Sequence, residues 1–277
     1  MIEAALLLFA LAVPLPRVFT PGAPVEGYER MPPPSIQMRM NQASATTVPW
    51  IDSNAWRFRR GVRKALYDNL PAGTATVAAA EAHAWGIDAI LKPAPEDADS
   101  LQAFLEFLKQ IGSTDLPARA NIAIVDDGSA EMPEVLNLLS RRNLLFKVVK
   151  ASDPRADLNI RIGTKQYPRD SVLNPNDFAA RVREQLTDDK RVVRLFGTYT
   201  VLVNLTGDNR HSRLHLVNYS RRPVKDVRVR VLGSYRKVRL SEANDAKQTA
   251  ADVIVVNGAT EFTVPALKTY AVVDLEN

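Results

Sequence analysis

An α/β region followed by an all-β region is the fold class this sequence predicts, on three observations. Helical and strand periodicities alternate between residues 119 and 190. The helical pattern then stops near Arg191, and short apolar runs separated by turn residues fill the rest of the chain. Before both lies an Ala-rich segment that reads as helix, glycine, strand, the order found in parallel sheets.

The elements follow in order. Residues 4–13, AALLLFALAV, are too short to span a bilayer but have the length of a signal-peptide apolar region. Glu3 sits where a basic residue is usual, and no A-x-A cleavage pattern follows. A signal segment over residues 1–20, and hence export to the periplasm or the medium, is the expectation, against the alternative of an ordinary buried helix. No other stretch approaches membrane-spanning length. Residues 21–49 include PGAP and Pro32-Pro33-Pro34, and proline fixes φ and removes donors, so a linker or surface strap is expected.

Residues 50–118 come next. WIDSNAWRFRRG starts like a strand. Ala and Glu favour a helix over 74–85, and Gly86 suits its end. GIDAIL is a short buried strand. Asp99 is placed to cap an amphipathic helix carrying Leu101, Phe104, Leu105, Leu108 and Ile111, which ends at Gly112. Residues 119–190 read as the strand ANIAIVDD, the helix MPEVLNLLSRRN, the strands LFKVVKA and DLNIRIG, and a helix capped by Asn174 or Asn176. Together they form a small doubly wound domain. Residues 191–277 read as eight strands of an antiparallel sandwich with its own core. In VRVRV the valines face inward and Arg228 and Arg230 outward.

The order of these parts resembles the end of β-galactosidases that carry a separate trimerisation domain. AAAEAHAWGIDAIL is similar to the last helix and strand of their barrel. IAIVDDGSAEMPEVLNLLSRRNLLFKVV stands where their amidotransferase-like α/β domain begins. RLHLVNYSRRPVKDVRVRVLG and FTVPALKTYAVVDLE resemble their terminal sandwich. A whole barrel needs roughly 250 residues, and only a small part has a counterpart here. The resemblance therefore implies accessory domains without the family's catalytic glutamates. The amidotransferase-like domain has no cysteine nucleophile.

Cysteine is absent from the 277 residues, which excludes disulfides, thiolate nucleophiles and cysteine-held metals. HExxH, Walker A, GxGxxG and GxSxG are absent too. No cofactor, metal site or catalytic residue is expected. Trp50, Asp52, Asn54 and Trp56 alternate, which would put them on one strand face, and Glu81, His83 and Trp85 follow. Aromatic faces beside carboxylates and amides suit an oligosaccharide or polysaccharide, whose C–H faces stack while hydroxyls meet polar groups. The competing reading packs the tryptophans in the core and uses Asp52 and Asn54 for a turn.

Asp126 and Asp127 end a strand where ligands often sit, but the strand NIRIGTKQ lacks a phosphoacceptor aspartate, so a turn that caps a helix is expected. The net charge is +5. Arg57, Arg59, Arg60, Arg63 and Lys64, and the arginines between 210 and 239, form basic clusters. Aromatics are sparse among them, which argues against nucleic acid and for solvated faces. Three functions stay open: a non-catalytic, exported carbohydrate-binding protein; a structural or homo-oligomerisation module; and a glycoside hydrolase using an acid pair such as Asp52 with Glu81.

Overall fold

The computed structural model describes residues 14–37, 49–113, 116–245 and 247–277. Most of the expected signal segment, residues 1–13, lies outside the described residues, as do residues 38–48 of the expected strap.

The first unit is built on four parallel strands in the order β1-β6-β5-β2. They are β1 (Arg17–Val18), β2 (Glu29–Arg30), β5 (Lys64–Tyr67) and β6 (Asp88–Leu91). Between β2 and β5 come the antiparallel pair β3 (Ser35–Gln37) and β4 (Trp50–Asp52) and the helix α1 (Ala55–Arg60). Helix α2 (Ala75–Ala84) joins β5 to β6, and α3 (Ala98–Ile111) follows. The proline-rich region is thus no mere strap. Prolines hold the chain extended, and its short strand β2 pairs with the open edge of β5, while β1, inside the expected signal segment 1–20, pairs with β6.

The strand expected from Trp50 onward ends at Asp52. The carbonyl of Asn54 accepts from the backbone N–H groups of Arg57 and Phe58, so Asn54 opens a helix. Alternation therefore does not reach Asn54 and Trp56. Asp97, not Asp99, occupies the start of α3, and its carboxylate accepts from the N–H groups of Gly73 and Ala75 at the start of α2. One aspartate thereby ties two helix beginnings together.

Helix α2 is buried on most of its surface, polar Glu81 and His83 included. Ala75, Ala78, Ala79, Ala80, Ala82 and Ala84 are all buried, because the helix lies between the parallel sheet and a sheet of the sandwich. Alanine is the side chain short enough to let two layers close on one helix. Gly86, at φ 66°, turns the chain from α2 into β6.

The second unit has the parallel order β8-β7-β9, from β7 (Ile122–Val125), β8 (Phe146–Val149) and β9 (Leu158–Ile160). Helices α4 (Met132–Arg141) and α5 (Pro175–Leu186) share one apolar cluster with Ile122, Ile124, Phe146 and Ile160. Asn174 caps α5 by accepting from the Asp177 N–H at 3.4 Å.

The remainder is two antiparallel sheets. One runs β10-β13-β16-β15, from β10 (Val193–Phe196), β13 (Val224–Leu232), β16 (Ala259–Leu267) and β15 (Ala251–Val256). The other runs β11-β12-β17-β14, from β11 (Val201–Gly207), β12 (His211–Asn218), β17 (Tyr270–Glu276) and β14 (Lys237–Glu242). The fold is therefore α/β plus β-sandwich. Val227, Val229 and Val231 point into the sandwich core as their alternation requires, and Arg228 faces out. Arg230 also leaves that core, but it is only 8% exposed and donates to the Asp189 carbonyl.

The second sheet is buried on both faces. Leu205, Leu214 and Val273 fill the sandwich core, while Leu202, Val217, Tyr270 and Val272 pack in the cluster that holds α2 and α3. Residues 191–277 expressed alone should therefore bind a hydrophobic dye and unfold at lower urea than the full chain. Equal midpoints in the two proteins would show that the second face contributes nothing to stability.

Candidate functional site

Three polar assemblies occupy the junctions between these units. The first is a cleft of about 500 Å³ beside α1 and α4. Trp50, Asp52 and Trp56 line it, with Pro32, Pro33, Arg57, Glu134 and Asn137. Both tryptophans are half-buried. The Trp50 indole N–H donates to Asp52 at 2.7 Å, and the other Asp52 oxygen accepts from Ser35 Oγ and Gln37 Nε2 at 3.0 and 2.9 Å. Asp52 thus orients the indole and pins β3 to β4. The Arg141 guanidinium lies 3.4 Å from the Trp50 ring centroid, and that of Arg57 lies 4.3 Å from the Trp56 ring centroid. Trp56 also packs against the core of the second unit.

Asn54 and Glu81 are not in this cleft. They meet inside, in the second assembly. Glu81 has no exposed surface, and its carboxylate accepts four hydrogen bonds. The donors are the Asn54 backbone N–H (2.6 Å), Asn54 Nδ2 (3.1 Å), Tyr67 OH (2.9 Å) and Tyr219 OH (2.8 Å). Burial raises the Glu81 carboxyl above its ordinary value, and these donors pull against it. Burial first, and the nearby Glu81 charge second, push both tyrosines well up. One carboxylate thereby joins α2, the start of α1, the end of β5 and the residue after β12. Asp52 and Glu81, the acid pair expected for a hydrolase, stand in separate compartments: one lines the cleft and the other is sealed inside.

His83 belongs to the third assembly. Its Nδ1 lies 2.8 Å from Tyr270 OH, and His215 Nδ1 lies 2.6 Å from the same oxygen. A hydroxyl has one proton, so one imidazole accepts from Tyr270 and the other donates to it. Burial, then the Arg213 charge, lowers His83 to about 4. Burial, then His83 and Arg213, holds His215 well below its usual value. Both rings are neutral at pH 7. They border a cavity of about 630 Å³ that runs along β8.

The other sequence candidates are engaged in structure. Asp126 takes a two-pronged contact from Arg60 (2.6 and 3.2 Å), and Asp127 accepts from Arg169 at 3.1 Å. Among the described residues no three His, Asp or Glu side chains converge as metal ligands. Asn204 and Asn218, which begin glycosylation sequons, are 5% and 0% exposed. The basic cluster is not a solvated face throughout: Arg59 reaches inward to the Phe146 carbonyl and Asn204 Oδ1, both at 2.9 Å. Neither Tyr219 as a partner of Glu81 nor Tyr270 as a partner of two histidines has a local signal. Their separations of 138, 187 and 55 residues leave no pattern to read.

No family model matches the chain, and neither does any curated protein. Solved structures of glycoside hydrolases do resemble it. The α-L-fucosidase isoenzyme 2 from Paenibacillus thiaminolyticus aligns with TM-score 0.56 and 11% identity over 80% of this chain and 62% of that one. A β-galactosidase from Bacillus circulans sp. alkalophilus aligns with TM-score 0.47 and 9% identity over 73% and 52%. A GH42 β-galactosidase from G. stearothermophilus aligns with TM-score 0.45 and 10% identity over 89% and 53%. The chain spans less than two thirds of the length of each. The likeness to the fucosidase is one of fold.

Proposed function

We propose that this chain is a non-catalytic, carbohydrate-binding protein related to the domains of glycoside hydrolases, and that the cleft of Trp50, Asp52 and Trp56 holds the sugar. One observation carries the reading: two half-buried indoles and an oriented carboxylate share a cleft of about 500 Å³, a size suited to one or two sugar rings. The fold likeness to a fucosidase supports it. The four parallel strands with α2 and α3 stand as part of a barrel of that lineage, which in full has eight. The three-stranded unit with α4 and α5 stands as its amidotransferase-like domain. Glu81, sealed under four donors, is no proton carrier for bulk solvent, and Asp52 spends both oxygens on orienting neighbours. The apolar run at residues 4–13 supports export as part of the proposal.

The test is titration with galacto- and fuco-oligosaccharides, followed by tryptophan fluorescence and calorimetry. Trp50→Ala should weaken binding about tenfold or more, with a stability loss of about 1–2 kcal/mol. Trp56→Ala, which also opens the neighbouring core, should cost about 2–3 kcal/mol. No response to any neutral glycan, in a parent protein that is folded, would remove the binding reading.

A second reading, assembly into homo-oligomers, is favoured by the edge strand β15. Val253, Ile254 and Val255 on it are 42%, 48% and 52% exposed, an apolar edge of the kind that pairs with further strands. Sedimentation of the parent and of Ile254→Lys distinguishes monomer from assembly.

A further inference from the structure

We propose that the cavity along β8, where α1, α2 and the sandwich meet, binds a small anionic saccharide carrying a carboxylate or sulfate group. The site is separate from the tryptophan cleft and does not depend on the reading given to that cleft. Its volume is about 630 Å³, within the range of pockets that enclose one or two sugar rings. Charge is its distinguishing feature. Among the described residues, Arg59, Arg63, Lys147 and Arg155 line it against one carboxylate, Asp153, leaving an excess of three positive charges. Asp153 is already paired with Arg155 at 3.0 Å.

Arg59 is the centre of the case. Among the described residues it donates only to neutral acceptors, the Phe146 carbonyl and Asn204 Oδ1, and its guanidinium lies 5.3 Å from the Phe146 ring centroid. Asn204 is itself held by donating Nδ2 to the Ala84 carbonyl at 2.8 Å, so its oxygen is fixed toward the arginine. Among the described residues no carboxylate lies within ion-pair distance of Arg59, Arg63 or Lys147, although the Lys147 charge acts on Asp153. Burial lowers Arg59 to about 10, which leaves it charged at neutral pH. An inward cation without a counter-ion is costly for a fold to keep, and an anionic ligand is the group that offsets it. Two of its five donors are used within the chain, so the fork is pre-positioned and still has donors to give.

The wall suits a sugar rather than a bare ion. Trp85 contributes an aromatic surface. His83 and His215 add neutral imidazole edges to the same wall. Arg63 and Lys147 are exposed, so they present charge at the mouth and steer the anion in.

The experiment is calorimetric titration of the full chain with glucuronate, glucose 6-sulfate, inorganic sulfate and glucose at one ionic strength. At least one of the two charged sugars should bind about tenfold or more tightly than both glucose and inorganic sulfate. The Arg63→Ala, Lys147→Ala double variant removes only exposed side chains and should fold as the parent does. It should weaken that binding about tenfold or more. Trp50→Ala, in the other cleft, should leave it unchanged. The proposal is overturned if neither charged sugar binds, if glucose or inorganic sulfate binds as tightly, or if the double variant keeps the parent affinity. Arg59→Met supplies an independent reading: binding should be lost in a protein that still unfolds cooperatively, at a lower urea midpoint because the Phe146 carbonyl and Asn204 Oδ1 lose their donors, and parent affinity in that variant overturns the proposal.

Discussion

Glu81→Ala is expected to lower the unfolding free energy by about 4 kcal/mol or more, a large part of the stability of an ordinary domain. The substitution leaves four donors from three other parts of the chain facing a void: the N–H and Nδ2 of Asn54 and the hydroxyls of Tyr67 and Tyr219. Each buried polar group left unpaired costs about 1–3 kcal/mol, and water reaching the small gap returns part of it. Glu81→Gln keeps the volume and one acceptor oxygen, and should cost about 1–2 kcal/mol. Urea unfolding of both variants checks the order. Should the alanine variant fail to fold, the glutamine variant still gives a measured loss. A Glu81→Ala protein within 1 kcal/mol of the parent would show that the network adds little beyond packing.

Acid should destabilise the protein between pH 6.5 and about 4 through His83 and His215. Both imidazoles are buried neutral, and His83 is lowered to about 4. A histidine with a depressed folded-state value contributes stability that is present above its unfolded value and lost as the pH falls through the folded one. For His83 alone the loss comes to about 3 kcal/mol, at 1.36 kcal/mol per unit between 6.5 and about 4. His215 adds to it with the same sign. Glu81 works the other way. Its raised carboxyl contributes stability that is full below its ordinary value and lost as the pH rises through the folded one, so acid relieves it. Asp188, held at about 2 first by its hydrogen bond from Arg183, loses its contribution only below its ordinary value of 3.8, outside most of this window. Comparison within one protein therefore mixes signs, and the His83→Gln variant separates them. Its stability should fall less steeply than the parent's from pH 7 to 4.5, as followed by urea midpoints. Parallel curves for the two proteins would exclude His83 as a source of the acid sensitivity.

The broad class of the fold was legible because it rests on local periodicity. Period-two valines in Val227, Val229 and Val231 and the apolar run of Ile122 to Val125 mark strands whatever surrounds them. The spacing of Leu101, Phe104, Leu105 and Leu108 marks α3 in the same way. The site was legible only in part. Trp50, Asp52 and Trp56 do line one cleft, although the strand face that would have joined them breaks at Asn54. There the hydrogen bonds of Asn54 to buried Glu81 and to the Pro32 carbonyl turn the chain into α1 and override a two-residue alternation.

The sequence by itself determined most of the helices and strands from residue 74 onward, that no thiol chemistry is open to this chain, and that tryptophans and acids gather between residues 50 and 85. Tertiary structure alone decided what those groups do. It buried Glu81 under Tyr219 and His83 against Tyr270, turned Arg59 inward to Asn204, and closed two layers over the alanines of α2. Each of these contacts joins residues 138 to 187 positions apart or depends on a layer contributed by another unit. The free energy of a buried charge or hydrogen bond is set by what surrounds it in space, and local sequence carries no record of those surroundings.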